Sequence, residues 1–422
     1  MTEKIIDLKY GKLHLIKTKK FRSINIKVLL KDRIVKSDIT KRNLLTDYLV
    51  ASTKKYNTRR KLSLKIQDLY SLFIGSFNTR IGNMLVTRFN MSLLNPKYTE
   101  ESMLVESLDL LHEIIFNPNV KNNKLDTDIF NIVKKDLESE IKTVKENSRM
   151  YANVRMLENL GDLPYSYRGF GYLEDLESID EKNLYLYYKE FLFKSDVDIY
   201  VVGDFNEKEM ISLVKEKLNF STIKKDKKDI IIYHDKILKK PKEVIESENF
   251  NQSKLSIGCK LMNLNEFEWK YVINLYNMIL GGGFNSKFMQ IIREKNSLAY
   301  YISSSINKAD NLLIINSGIS KENYLEVIQN IFDIMKKMSK NFVSEKELAN
   351  AKIEYLSLLE ESLDNQDNVL ENMVAKDLLN LDELDKRREE ILKVTIDDIK
   401  CVSKKVFIDT IYLLKGDMNE EK

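Results

Sequence analysis

Alternating apolar and polar residues mark a strand near the start of each half of the chain. Residues 21–28 (FRSINIKV) and residues 250–257 (FNQSKLSI) both alternate in this way and resemble each other. A period of two sends successive side chains to opposite faces, as in a strand with one buried face. Both stretches are therefore predicted to be strands, and their likeness predicts that the two halves fold alike.

The ends of the two halves repeat a second pattern. In each, a helical stretch is followed by an apolar strand that closes in Gly-Asp. Asp180 and Thr395 are predicted to cap the helices. Gly203 and Gly416, which close the strands, lie 213 residues apart. A tandem duplication is the simplest account of this spacing.

Long amphipathic helices are predicted between the strands. Residues 127–144 carry apolar side chains at helical spacing, and residues 344–363 form a second candidate. Strands that flank runs of helices favour an α+β fold with a mostly antiparallel sheet in each half. The predicted domains are residues 1–220 and 246–422. The lysine-rich, proline-interrupted stretch 221–245 is predicted to be the linker between them.

The composition excludes several classes of protein. Lys and Arg number 68 against 64 for Asp and Glu, so the chain lacks the basic excess of a nucleic-acid-binding protein. No apolar run approaches the roughly 18 residues of a membrane span, and the start of the chain has no signal-peptide core. Cys259 and Cys401 form no CxxC pair, which is typical of a reducing compartment. We therefore expect a cytoplasmic protein without nucleic-acid or membrane partners.

Three consecutive glycines stand out, because the whole chain has only 13. Gly281, Gly282 and Gly283 predict a backbone requirement, such as positive φ or the close approach of another backbone. They open the segment 280–300, LGGGFNSKFMQIIREKNSLAY. This segment resembles LGGGxxSRLxxxIREKxGLAY, found in the C-terminal half of zinc peptidases of the pitrilysin/insulinase family, which includes the mitochondrial processing peptidases.

The resemblance implies a zinc motif that this chain lacks. The family's motif is H-x-x-E-H, on a helix of the N-terminal half, followed by a stretch like LFKGTKKY. Residues 50–56 (VASTKKY) match that stretch, and counting back places Asn43, Thr46 and Asp47 where His, Glu and His would stand. Neither asparagine nor threonine is a usual zinc ligand, and a threonine hydroxyl cannot act as the general base.

The family's third zinc ligand is a glutamate on a later helix, in a pattern like FxxExxVVLEEI. Residues 130–141 align with this pattern, with Glu140 at the ligand position and Val133 where a supporting glutamate is usual. One carboxylate from this set does not hold catalytic zinc. The chain is therefore expected to bind no metal or other cofactor and to contribute no catalytic residue, with zinc supplied by a partner subunit.

The histidines offer no replacement site. The chain has only three: His14, His112 and His234. His14 lies in the alternating stretch 12–16 and is predicted on the solvent face of a strand. His112 begins an H-E-x-x-F sequence on an amphipathic helix and is predicted to be exposed, because Phe116 replaces the second histidine of an H-E-x-x-H motif. The histidine count excludes a self-sufficient metallopeptidase.

The resemblance also implies roles in the C-terminal half. In active relatives, an arginine and a tyrosine of this segment bind substrate opposite the zinc. Arg293 and Tyr300 match those positions, with Tyr301 as the alternative register for the tyrosine. An arginine can hold a peptide carbonyl or carboxylate, and a tyrosine hydroxyl can stabilise an oxyanion. The predicted substrate-binding residues are Arg293, Tyr300, Gly281, Gly282 and Gly283.

Along the whole chain, the resemblance is to catalytically silent bacterial members of the family, such as those associated with aminopentanol modification of elongation factor P. It implies two homologous α/β-sandwich domains that enclose a cavity with a second subunit. The first hypothesis is a non-catalytic subunit of a heterodimeric zinc peptidase. That subunit would share a peptide-processing chamber with an H-x-x-E-H paralogue, and a homodimer is allowed in isolation. The alternative is a scaffold or interaction protein with no peptide substrate.

Overall fold

The computed structural model describes residues 3–220 and 237–416. Of the predicted linker, residues 221–236, with His234, lie outside the described residues, and its last four residues begin a strand. The described chain divides into two compact units. The first contains residues 3–143, 168–220 and 365–373, and the second contains residues 144–167, 237–364 and 374–416. The predicted domain boundaries, residues 1–220 and 246–422, stay a prediction. The compact units differ from them because residues 144–167 belong to the second unit and residues 365–373 to the first.

Strands and helices follow one another in the order expected for a duplicated α+β chain. The strands are β1 (Glu3–Asp7), β2 (Gly11–Lys17), β3 (Ser23–Arg33), β4 (Phe73–Ile81), β5 (Met84–Leu94), β6 (Val120–Lys121), β7 (Lys124–Leu125), β8 (Asp196–Gly203), β9 (Lys242–Glu248), β10 (Ser253–Leu261), β11 (Ala299–Asn307), β12 (Leu312–Ile319) and β13 (Val406–Gly416). The helices are α1 (Ile39–Ala51), α2 (Arg59–Asp68), α3 (Met103–Phe116), α4 (Thr127–Thr143), α5 (Ser148–Leu160), α6 (Leu173–Glu177), α7 (Glu181–Lys194), α8 (Glu207–Lys217), α9 (Ile273–Asn277), α10 (Tyr324–Met338), α11 (Glu345–Glu361), α12 (Gln366–Leu379), α13 (Leu384–Lys393) and α14 (Ile396–Ser403). None of the helices in the described part of the chain has the length and apolar character needed to cross a bilayer.

The main sheets of the two units share one strand order. In the first unit it is β1-β2-β8-β3-β5-β4, and in the second it is β9-β13-β10-β12-β11. From β2 to β4, every strand of the first sheet thus has a counterpart in the second. The strands pair antiparallel except for β2 with β8 and β9 with β13, which are parallel in both sheets. This shared topology confirms the predicted α+β fold of two similar halves.

Gly203 and Gly416 occupy matching places at the ends of β8 and β13. A Cβ on Gly203 would lie 2.9 Å from the carbonyl oxygen of Ser23, and one on Gly416 would lie 2.4 Å from the carbonyl oxygen of Phe250. Gly203 also has a φ of 149°. The repeated glycine therefore reflects the close approach of the neighbouring chain at the end of each strand.

The predicted helix starts are confirmed. Asp180 accepts a hydrogen bond from the backbone N–H of Asn183 at 2.7 Å, and Thr395 accepts one from Asp398 at 3.2 Å. In both cases the third helical residue bonds back to the cap, completing a capping box. Ser344 caps α11 in the same way, and α4 covers the predicted helix over residues 127–144 apart from its last residue.

The predicted exposure of the histidines is wrong. His14 is buried, because β2 lies between β1 and β8 and is covered on both faces. Its ring stacks on Tyr200 with 4.2 Å between ring centroids, and its Nδ1 lies 2.7 Å from Oε1 of Glu3. His112 is half-buried, with its Nδ1 2.6 Å from the carbonyl oxygen of Lys217.

Each unit takes in one helical segment from the other half of the sequence. In the second unit, α5 packs on β10 and β13, where Met156 joins a buried cluster with Tyr412 and Leu414. In the first unit, the start of α12 packs on the sheet. There the Gln366 Nε2 donates to the carbonyl oxygens of Ser23 at 3.0 Å and Val202 at 2.8 Å. The two compact units are therefore built from interleaved sequence segments.

Candidate functional site

The degenerate motif positions lie on two helices of the first unit. Asn43, Thr46 and Asp47 belong to α1, which packs against the edge strand β4 and against α4. Asn43 and Asp47 are four residues apart and therefore neighbours on the helix surface. Both are half-buried, whereas Thr46 is fully buried. Glu140 lies on α4 and is exposed.

Asn43 has both ends of its carboxamide engaged. Its Nδ2 donates to the carbonyl oxygen of Gly169 at 2.8 Å, and its Oδ1 accepts from Nδ2 of Asn78 on β4 at 2.9 Å. The same loop approaches α1 closely, since a Cβ on Gly171 would lie 2.7 Å from Oγ1 of Thr40. At the first ligand position of the family's motif, the Asn43 side chain thus links α1 to β4 and to this loop through hydrogen bonds.

Thr46 cannot replace the glutamate base. Its hydroxyl donates to the carbonyl oxygens of Arg42 and Asn43, both at 3.0 Å, and accepts from Nδ2 of Asn78 at 2.9 Å. Asn78 in turn accepts from the hydroxyl of Thr87 at 2.6 Å. A threonine hydroxyl is far too weak a base to take a proton from water, and these contacts hold it within the unit.

The sequence alone did not point to Asn78, Thr87 or Gly169. The one available signal is the alternation of polar residues along β4, where the Ser76 hydroxyl donates to the carbonyl oxygen of Thr46 at 3.0 Å. Alternation assigns these side chains to one face of a strand but does not say which helix covers that face. The partners therefore become visible only in the folded unit.

Asp47 is the ionisable group left among the motif positions on α1. Burial raises its pKa to about 6, and the charges of Glu140 and Asp136 on α4 add to the shift, whereas Arg59 opposes it. Arg59 is bonded to Asp136, with 2.7 Å between NH2 and Oδ2. Like charges that face each other favour the neutral form of a carboxyl, so they add to the effect of burial.

The donor set does not fit zinc. The carboxylates of Asp47, Asp136 and Glu140 do not come close enough together to form a three-ligand group. No imidazole is present among the motif positions, and Val133, at the supporting position, is buried in the apolar core. Structural and catalytic zinc sites both require at least three nitrogen, sulfur or oxygen ligands in close tetrahedral geometry.

We expect the pH dependence of stability to report the Asp47 environment. Because its pKa in the folded protein is raised above the ordinary value, the charged form is unfavourable above about pH 6. A pKa raised from the ordinary value of about 4 to about 6 corresponds to about 3 kcal/mol, which partial exposure reduces. Asp47→Asn should therefore raise the free energy of unfolding by about 1–2 kcal/mol near neutral pH, and the gain should vanish below about pH 4. Urea denaturation across this range, with exposed Asp128→Asn as control, tests it. A gain that is constant with pH would refute this account.

The isolated chain is expected to contain no stoichiometric zinc and to show no peptidase activity. The reason is the side chains at the motif positions, Asn43, Thr46 and Asp47. Metal analysis of untagged protein and a hydrolysis assay with and without chelator measure both properties. Stoichiometric zinc together with chelator-sensitive hydrolysis would contradict the expectation.

Restoring the H-x-x-E-H residues should not restore strong peptidase activity. In the triple variant Asn43→His, Thr46→Glu and Asp47→His, the new side chains meet Asn78 and the Gly169 carbonyl where Asn43 now bonds. Val133 still lacks the supporting carboxylate, and such partners commonly change affinity or activity by about 10–100-fold. Zinc binding by calorimetry and peptide turnover are the measurements. Efficient turnover by the triple variant alone would show that the surrounding network does not matter.

The glycine triplet lies in the second unit at the end of the helix that contains α9. Gly281 and Gly282 belong to a wide helical turn, Met278–Gly282, and Gly283 follows it in an extended conformation. None of the three glycines has positive φ. A Cβ on Gly281 would lie 3.0 Å from the backbone nitrogen of Ser304 in β11, which supports the predicted close approach of another backbone.

The turn after the glycines is held by a residue that the sequence did not single out. The backbone N–H of Phe284 donates to Oε1 of Glu354 on α11 at 3.0 Å. A Cβ on Gly283 would lie 2.9 Å from the other carboxylate oxygen of Glu354. The absence of a side chain at Gly283 therefore leaves room for this carboxylate, and the Phe284 ring is left 79% exposed.

Arg293 and Tyr300 are both presented at the surface of the second unit. Arg293 lies on the helical stretch Met289–Lys295, which packs against β11. It is exposed and has no ion pair with any residue in the described part of the chain. Tyr300 is 57% exposed, with its hydroxyl 3.5 Å from Oγ of Ser320. It is the extra residue of a bulge between Ala299 and Tyr301, which turns it out of the strand pairing.

Tyr301 has a different environment. It is half-buried, and its ring lies 4.9 Å from the guanidinium of Arg149 and 5.5 Å from Nζ of Lys254. Burial raises the pKa of its hydroxyl, and Arg149 opposes the shift. Tyr300 is thus the accessible member of the pair. Because β11 is the edge strand of its sheet, this tyrosine lies at an open sheet edge.

Two comparisons relate the chain to peptidases that are described as inactive. The family profile described as "Peptidase M16 inactive domain" matches residues 178–355, which include the glycine triplet and Arg293. A curated protein of Bacillus subtilis (strain 168), "Probable inactive metalloprotease YmfF", is 28% identical over 414 residues, covering 97% of both chains. The chain is thus similar to M16 peptidases described as inactive over residues 178–355, and to a probable inactive metalloprotease along nearly its whole length. Both matches are described as inactive, as is consistent with an M16 homologue whose zinc motif has been replaced.

Solved structures confirm the M16 fold. A conserved protein from Enterococcus faecalis V583 superposes with a TM-score of 0.90 at 27% identity, covering 99% of this chain and all of the other. An M16 inactive domain from Pseudomonas fluorescens superposes with a TM-score of 0.79 at 17% identity, covering all of both chains. The family resemblance and the fold predicted from sequence are thereby both confirmed.

Proposed function

We propose that this M16 homologue is the non-catalytic subunit of a two-subunit zinc peptidase. The observation that carries the proposal is a contrast between its two family sites. The motif positions on α1 hold no imidazole, and two of them, Asn43 and Thr46, are hydrogen-bonded within the unit. Arg293, on the helical stretch before β11, and Tyr300, in that edge strand, remain exposed. The zinc would come from a paralogue with an intact H-x-x-E-H motif, and this chain would contribute substrate-binding residues to a shared chamber.

The geometry of β11 supports a role in holding peptides. Within the described residues, β11 pairs on one side only, with β12. An extended peptide can add to such an edge through backbone hydrogen bonds. Arg293 would then hold a peptide carbonyl or carboxylate, and the Tyr300 hydroxyl would donate to a developing oxyanion. The glycine turn, fixed by Glu354, would set the position of the neighbouring backbone.

The complex is proposed to act in the cytoplasm on peptide substrates. The cysteines support a reducing compartment, since Cys259 and Cys401 are both free thiols, the first buried and the second exposed. Nothing in the charge balance, with a formal net charge of +4 spread over 132 charged residues, favours a nucleic-acid partner.

Co-purification from the native cell tests the proposal. A tagged copy of this chain should retain a paralogue that carries H-x-x-E-H. The complex should contain zinc and hydrolyse peptides in a chelator-sensitive way, whereas this chain alone should do neither. A chain that forms only homodimers, or that retains a paralogue without gaining turnover, would refute the peptidase proposal and favour a scaffold without a peptide substrate.

A further inference from the structure

A cavity of about 340 Å³ opens in the first unit beside the start of α1. Its walls come from the end of β3, the first turns of α1, the start of β5 and the last turns of α7. Asn43, Thr46 and Asp47 do not line it, so it is separate from the degenerate motif. The volume lies at the lower end of the roughly 300–1,000 Å³ usual for small-molecule sites, which limits the ligand to a small metabolite.

Charged groups of both signs line this cavity in equal number. They are Asp32, Asp38 and Glu190, against Arg33, Arg42 and Lys194. Four of the six are paired with one another. Arg42 is buried and bonded to Asp32, with 2.9 Å between NH2 and Oδ2, and Lys194 is bonded to Glu190 at 2.8 Å. These pairs neutralise each other and leave one carboxylate and one guanidinium.

The two remaining charges are Asp38 and Arg33. Asp38 is half-buried and precedes α1, but its carboxylate does not cap the helix. Among the described residues it makes no hydrogen bond or ion pair through this carboxylate, and the exposed Arg33 makes none through its guanidinium. A half-buried carboxylate without a bonded partner is unfavourable, and a ligand that supplies a cationic donor removes that cost.

We propose that this cavity binds a free α-amino acid with an apolar side chain. Asp38 would accept the α-ammonium group, and Arg33 would hold the α-carboxylate through its paired N–H donors. The side chain would lie against Val35 and Leu85, the aliphatic part of the lining. The proposal does not depend on the peptidase role of the chain.

A zwitterion fits this lining better than a simple ion. The charges of the lining sum to zero. A simple cation is therefore attracted by Asp38 and repelled by Arg33 to a similar extent, and a simple anion is repelled by Asp38 and attracted by Arg33. A zwitterion, which carries both charges, is attracted by both residues. The surroundings of Asp38 agree with this assignment. Burial raises the pKa of its carboxyl, and only the through-space charges of Arg42, Lys41 and Lys194 oppose the shift.

Isothermal titration calorimetry with L-leucine as the probe tests the proposal. Leucinamide, which lacks the carboxylate, and N-acetyl-leucine, which lacks the ammonium, serve as matched ligands. L-Leucine should bind with a millimolar or better dissociation constant. Each blocked analogue should bind about tenfold or more weakly, since a hydrogen bond to a charged group is worth about 1.5–3 kcal/mol. Absence of binding by L-leucine and by the other apolar standard amino acids would overturn the proposal.

Variants separate the two contacts. Asp38→Asn should weaken the binding of L-leucine about tenfold and leave the binding of N-acetyl-leucine unchanged. Arg33→Gln should also weaken the binding of L-leucine about tenfold, but should leave the binding of leucinamide unchanged. Asp128→Asn and Arg60→Gln are exposed controls that should bind as the wild type does. Val35→Trp, which fills the cavity without changing charge, should abolish binding. Unchanged affinity in folded Asp38→Asn or Val35→Trp protein, as judged by circular dichroism, would place any bound amino acid elsewhere and refute the assignment.

Discussion

Replacing Arg293 with alanine is expected to lower peptide turnover by the two-subunit complex about 10²–10³-fold without dissociating it. The expectation rests on the exposure of the guanidinium and on its lack of an ion pair within the described residues. A side chain with no role in the fold can be removed at little cost in stability, so the loss should appear in the rate alone. Tyr300→Phe, which removes only the hydroxyl, should act in the same direction.

The neighbours of these residues provide the controls. Lys295→Ala removes an exposed cation two residues from Arg293 on the same helical stretch and should leave turnover unchanged. Tyr301→Phe tests the alternative tyrosine, which is half-buried between Arg149 and Lys254. Steady-state kinetics on complexes checked by size-exclusion chromatography are the measurement. Full activity in intact Arg293→Ala and Tyr300→Phe complexes would eliminate the substrate contact and leave the scaffold function.

The features that the sequence predicted well are local ones. Capping by Asp180 and Thr395 depends on residues three positions away, and the strand ends at Gly203 and Gly416 depend on a glycine that no other residue can replace. The duplicated topology follows from these repeated signals. The resemblance to M16 peptidases likewise follows from one continuous segment around the glycine triplet, which lies within the matched residues 178–355.

The features that the sequence did not predict depend on contacts between distant segments. Asn78 bonds to α1 across more than 30 positions, and Glu354 holds a turn 70 positions away. The predicted exposure of His14 is wrong because alternation indicates a strand with one solvent face, whereas the side chains on both faces of β2 are buried. The sequence also did not predict that α5 and the start of α12 each pack in the other half, because both segments have the pattern of an ordinary amphipathic helix.

That exchange leads to the largest expected effect on stability. In the first unit, Glu371 on α12 bonds to Nζ of Lys27 at 2.6 Å and to NH1 of Arg88 at 2.5 Å. Lys27 is 3% exposed and Arg88 is also buried. Burial alone would raise the pKa of Glu371, but Arg88 and Lys27 hold it below its usual range. This carboxylate thus pairs with two buried cations of β3 and β5, and Lys27 has a second, exposed partner in Asp367 at 3.4 Å.

Glu371→Ala should therefore destabilise the first unit by leaving both cations without this partner. Breaking a fully buried pair costs about 3–5 kcal/mol, and since Glu371 is itself 40% exposed we expect about 2–3 kcal/mol. The urea midpoint of unfolding, followed by circular dichroism, is the measurement. Glu389→Ala, an exposed glutamate on α13, is the matched control and should stay within about 0.5 kcal/mol of the wild type.

A triple variant distinguishes the loss of ion-pair attraction from the cost of leaving buried cations without a partner. Replacing the whole group, Lys27→Met with Arg88→Met and Glu371→Leu, removes the ion pairs but leaves no buried charge behind. Exchanging a buried ion cluster for apolar residues of similar volume is often neutral or stabilising, so this variant should recover most of the loss seen in Glu371→Ala. If the triple variant is less stable than Glu371→Ala, the ion pairs themselves stabilise the first unit. If Glu371→Ala unfolds as the wild type does, then the contact of α12 with this sheet depends on Gln366 and its apolar neighbours instead.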